Sequence, residues 1–134
     1  MSYSGRRDEE RDRRASIEDE VTRHISQIGS FKDYTGDLLV KDAESLAGSI
    51  RDLKTAQLRR IYGEVKGMEM DFKKDKFNRD RVVLLKPRLA YAASKKPEVT
   101  RIKNVFFKCI DKIQSIDDFS RFVSFFEAIL AYHR

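Results

Sequence analysis

Two histidines and one cysteine are the side chains of this sequence able to act as base or nucleophile near neutral pH without a perturbed environment. Nothing in their spacing joins them. His24 falls in a polar, weakly helical stretch, and His133 is penultimate, where it reads as a packing residue that also favours a helix C-terminus. Cys109 lies on an apolar helical stripe with no histidine at ligand spacing, the setting of an inert core thiol. The carboxylates are scattered over polar positions and are not paired in apolar runs that would raise a pKa. No phosphate-cradling glycine loop or dinucleotide fingerprint occurs, and Gly63-Glu64-Val65-Lys66-Gly67 reads as a close helix crossing. The inventory is that of a protein that binds and does not catalyse, with no metal or cofactor implied.

The chemistry that remains is cationic. In Val82-Val83-Leu84-Leu85-Lys86-Pro87-Arg88-Leu89-Ala90-Tyr91-Ala92-Ala93 an apolar helical run is interrupted by two cations bracketing a proline. An all-apolar helix belongs in a core, and the proline removes one backbone hydrogen bond and disfavours helical geometry just before it. Lys86 and Arg88 are therefore expected to project from a kink in a central helix. The wider charge pattern points the same way. Residues 51–112 hold eighteen basic against eight acidic side chains, an excess of +10 in a chain whose total is +6. Such a field, confined to the middle helices, is the footprint of a phosphate-backbone binder, although a well-solvated basic surface gives the same count.

The elements that carry these residues are helical throughout. Residues 1–15 have too little apolar content to offset the entropy of ordering and read as a disordered arm. From Ser16, with Asp19 completing a capping box, Ile17, Val21, Ile25 and Ile28 form a narrow stripe, a weak helix that a partner would order. The expected division is a charged flexible arm over 1–30 and one helical-bundle domain over 31–134. Within it, the spacing predicts a helix over 37–50 and a second capped by Thr55 with Leu58, Ile61, Val65, Met68 and Phe72 inward. Arg59, Lys66 and Lys73 flank one side of that helix, and Glu64 and Asp71 flank the other. A third helix holds the proline, a fourth begins at Pro97, and a fifth is capped by Ser115 with Asp118. Strand alternation and hairpin signals are absent, so the expected fold is all-α, a compact bundle of about five helices with the proline-containing one near the middle. The lone cysteine fits a reducing, cytoplasmic setting, and the apolar runs are too short to span a membrane.

Three segments resemble a known family: Thr55-Ala56-Gln57-Leu58-Arg59-Arg60-Ile61-Tyr62, Leu84-Leu85-Lys86-Pro87-Arg88-Leu89-Ala90-Tyr91-Ala92, and the ending from Phe119 to His133. Their order and spacing, across roughly residues 35–134, are similar to the small subunit of type III-A (Csm) CRISPR effector complexes. The resemblance implies a non-catalytic antiviral-defence subunit that stacks in several copies and holds the crRNA–target RNA duplex by its backbone. The repeated backbone subunit and the large polymerase-like subunit would be its partners, together with neighbouring copies of itself. Gln57, Arg59, Tyr62, Lys86, Arg88 and Tyr91 stand at the motif positions. The resemblance makes Arg59, Lys86 and Arg88 the leading RNA contacts, with Gln57, Tyr62 and Tyr91 as support. Lys54, Arg60, Lys66, Lys95 and Lys96 join the RNA-binding set by position alone. Ser94-Lys95 departs from the Gly-Arg pair expected there.

Rival readings are a helix-turn-helix DNA regulator, an RNA-processing enzyme, and the small subunit of the related type III-B complex. The first needs a helix presenting Arg, Asn or Gln at base-reading positions, and no helix here shows that set. The second needs a metal or histidine centre. The third is separated by its companion subunits.

Overall fold

The last helix organises the molecule, because it carries the largest apolar side chains at helical spacing. Phe119, Phe122, Phe125, Phe126 and Ile129 are all buried. The computed structural model describes the backbone from Ser2 and the side chains from Arg7 to Arg134, so the side chains of the first six residues of the expected arm lie outside the described residues. The helices are α1 (Ser2–Gln27), α2 (Gly36–Ser49), α3 (Thr55–Lys74), α4 (Arg79–Val83), α5 (Leu85–Lys95), α6 (Thr100–Asp111) and α7 (Ile116–Tyr132), with no strand among the described residues. Short 3-10 turns over Phe31–Asp33 and Pro97–Val99 lead into α2 and α6. The all-α bundle expected from the sequence is the observed fold.

α7 packs on α2, α3 and the Phe31–Asp33 turn, while α6 packs on α1 and α5. Phe106 of α6 joins the two groups through Phe122 and Phe126, at ring-centroid distances of 5.0 and 4.8 Å. Ser115 caps α7 by accepting from the Asp118 backbone N–H, as its spacing predicts. The proline-containing helix is not central: α5 buries only Leu85 and Leu89. Ala90, Ala92 and Ala93 offer little area to bury, and the phenylalanines of α7 offer far more, so α7 takes the middle.

α1 is one long helix in which Ser16 is an interior residue, not a cap. Residues 7–13 are exposed, while Val21 and Ile25 are fully buried between α2 and α6. Glu18 receives Arg101 at 3.1 Å and Asn104 at 2.8 Å. His24 Nδ1 lies 2.9 Å from Asp42, which also accepts the Tyr34 hydroxyl. Burial raises the pKa of that hydroxyl, and the bond to Asp42 adds to the effect. α1 ends at Gln27, and its Val21 and Ile25 share one core with the helices that follow.

Candidate nucleic-acid interface

The helix over residues 79–95 breaks at Leu84, three residues before the proline. Pro87 has no N–H to offer the Val83 carbonyl, so the chain restarts as α5 and leaves Pro87 in the first turn, where a missing donor costs little. The kink is therefore upstream of the cations and does not project them together. Lys86 and Arg88 are two positions apart in a helix, about 200° around its axis. Lys86 reaches α6, where its ammonium sits 2.6 Å from Asp111 and 5.5 Å from the centre of the Phe107 ring. Its side chain is only 30% exposed. Arg88 faces α3 and pairs with Glu64 in an exposed contact.

The sorting of charge along α3 is as its periodicity predicts, with consequences for both sides. Glu64 and Asp71 face the α4–α5 side, where Arg88 and Arg81 meet them. Lys66 turns toward Glu69 at 2.9 Å and Glu127 at 3.9 Å. Tyr62 donates to Glu127 at 2.6 Å and meets Phe126 edge-on, so it ties α3 to α7. Partial burial and that acidic neighbour push the Tyr62 hydroxyl up to about 12. Burial alone would raise the Glu69 carboxyl, but Lys66, Ser120 and Lys73 together hold it below the usual range.

α3 and α5 do not pack closely; they stand across a cleft of about 620 Å³. Gln57, Arg60, Arg88, Tyr91, Lys95 and Lys96 line it, so the fold gathers six of the eleven expected site residues. Lys54 and Arg59 are exposed on the first turns of α3 without lining the cleft, and Lys66, Tyr62 and Lys86 lie apart from it. Arg60, Lys95 and Lys96 have no acidic ion-pair partner among the described residues. The Lys95 ammonium lies 5.4 Å from the Tyr91 ring centre, and Tyr91 is 65% exposed. Residues that sequence reasoning passed over form the floor: Ile61, Leu85 and Leu89 were legible only as core positions.

The glycines of the GxxxG pattern do not mark a close crossing. A Cβ at Gly63 or Gly67 would meet nothing within 4 Å. The remaining candidates for chemistry are occupied structurally. His133 is buried, with Nε2 3.0 Å from the Ile50 carbonyl and Nδ1 3.0 Å from the hydroxyl of Thr55, which is the first residue of α3 and not its cap; Lys54 holds that position. Cys109 is fully buried, and burial pushes its thiol pKa up. Among the described residues no three His, Cys, Asp or Glu side chains come together as a metal site, and no helix is long and apolar enough to cross a membrane.

The family comparison places this all-helical chain among the small subunits of CRISPR effector complexes. The chain belongs to the Csm2 Type III-A family, whose model matches residues 33–134. That span holds every residue of the cleft, and α1 precedes it. The family makes the chain a type III-A small subunit with other Csm subunits as partners. Comparison with curated proteins and with solved structures gives no significant match.

Proposed function

We propose that this chain is a non-catalytic, cytoplasmic subunit that stacks in several copies and holds the crRNA–target RNA duplex through phosphate contacts along the α3–α5 face. In such an assembly base pairing reads sequence, and the protein has only to recognise duplex shape and charge. The repeated backbone subunit and the large polymerase-like subunit would then carry the chemistry.

One observation carries this reading: Arg60, Lys95 and Lys96 line a single cleft with no carboxylate among the described residues committed to them. Cations already paired within a protein must exchange one anion for another, whereas these can neutralise phosphate without that exchange. Arg88 joins them at modest cost, since an exposed ion pair contributes only about 0–1 kcal/mol. Lys54 and Arg59 extend the charge along α3. Lys86, pinned to α6, contributes to the site through the fold.

The test is binding of a guide–target RNA duplex to the full chain as a function of salt, followed by its capture by the assembled complex. Sequence-indifferent affinity that falls steeply with salt is expected. Affinity unmoved between about 50 and 200 mM salt would remove phosphate neutralisation from the account.

A further inference from the structure

The phosphate-binding reading uses the rim of the α3–α5 cleft and leaves its interior unexplained. A surface built only for a duplex backbone needs cations and no concavity. Yet Ile61, Leu85, Leu89 and Ala92 floor the cleft with apolar surface, and Tyr91 forms part of its wall. Its volume of about 620 Å³ lies within the roughly 300–1,000 Å³ of small-ligand sites. Tyr91 is the most exposed large apolar side chain among the described residues, at 65%. Its hydroxyl makes no hydrogen bond among the described residues, unlike those of Tyr34 and Tyr62. Apart from the Lys95 ammonium over it, the ring is held open beside an apolar hollow.

We propose that the cleft takes the base of a single unpaired nucleotide, stacked on Tyr91, with the flanking phosphates on Arg60, Lys95 and Lys96. The occupant follows from complementarity. An apolar floor alone would suit any hydrophobic segment, but a cationic rim around it suits a flat apolar group that carries anions on both sides. Stacking on an aromatic wall within a basic groove is the general way proteins hold single-stranded nucleic acid. Glu64, the one acid lining the cleft, is paired with Arg88 and so does not oppose the phosphates as a free charge. The inference rests on the RNA-binding reading and names the part of the RNA that enters this site.

The experiment uses the full chain with two probes: a short single-stranded RNA carrying one 2-aminopurine, and a fully paired RNA duplex of equal length. Binding of the single strand should quench the 2-aminopurine in the wild type and in Tyr91→Phe. Tyr91→Ala should abolish the quenching and weaken single-strand affinity roughly tenfold or more, a loss several-fold larger than any on the duplex, with the salt slope unchanged. Because Tyr91 is largely exposed, the variant should fold, and Ala92→Leu, which fills the cleft from its half-buried floor, should give the same loss by a different route. Retained quenching in both variants, or equal losses on single strand and duplex, would overturn the base-binding role while leaving phosphate binding in place. A change in self-association with no effect on either RNA would overturn it in favour of an interface between copies. Failure of the wild type to bind either probe would bring down the RNA reading itself.

Discussion

Replacing Arg60, Lys95 and Lys96 together by Gln should flatten the salt dependence of duplex binding, and the size of the change follows from counting contacts. Each phosphate neutralised contributes about 0.9 to the slope of log affinity against log salt, so three lost contacts lower the slope by about 2.7. Over a fourfold rise in salt the wild type should then lose roughly fortyfold more affinity than the triple variant. Fluorescence anisotropy with a labelled duplex at several salt concentrations reads this directly. Lys86→Gln supplies the contrast. Its ammonium is committed to Asp111 and lies over Phe107, so the slope should hold while the fold loses about 1 kcal/mol. For a domain of this size that is a melting shift of about 3–5 °C. Arg88→Gln should fall between the two, since Arg88 must leave Glu64 before it meets a phosphate. If Lys86→Gln flattens the slope and the triple variant does not, the duplex lies on the α5–α6 side and the assignment of the cleft is wrong.

Four further outcomes test the fold that holds this surface. Gly63→Ala and Gly67→Ala should each stabilise the protein by about 0.5–1 kcal/mol, because both sit inside α3 with open space at the Cβ position; a drop in melting temperature would restore the close crossing. Asp42→Ala should cost about 1–3 kcal/mol by orphaning the buried Tyr34 hydroxyl, measured by urea unfolding. Phe122→Ala should cost about 3–5 kcal/mol, since its ring meets Phe31, Phe106 and Phe119 at the centre of the core. Asp118 tests the pH dependence: burial would raise its carboxyl, but the N–H groups of Gln114 and Lys32 and the Ser115 hydroxyl hold it below the usual range. Its stabilising contribution is therefore present above about pH 4 and lost as pH falls through its lower folded value, so Asp118→Asn should be less stable at neutral pH and lose less on acidification.

The sequence makes legible whatever depends on one helix at a time. The stripe of α7 and its Ser115 cap, the inward row of α6, and the two charged flanks of α3 all follow from a 3.6-residue period, and all are present. The helical stripe of Ile17, Val21 and Ile25 is legible too, but the surface it meets is not, because α2 and α6 lie far along the chain. The cleft is of the same kind: it is a separation between α3 and α5, and no residue of either helix encodes that distance by itself.

The Lys-Pro-Arg element shows how neighbours in sequence become strangers in space. A turn of about 200° sends Lys86 to α6 and Arg88 to α3, where carboxylates await both. Six cations of the basic middle segment, Lys66, Lys73, Arg81, Lys86, Arg88 and Arg101, are held in such pairs. Net charge therefore locates a basic segment but not its free charge. The acidic flank of α3 engages the arginines opposite it, and the cleft cations with no acidic partner among the described residues are Arg60 in the second turn of α3 and Lys95 and Lys96 at the C-terminal end of α5. A helix C-terminus favours positive charge, so the last two sit where α5 itself stabilises them. The ion pairs that span the two helices thus sort the cations into those that build the cleft and those left to receive an anion from outside.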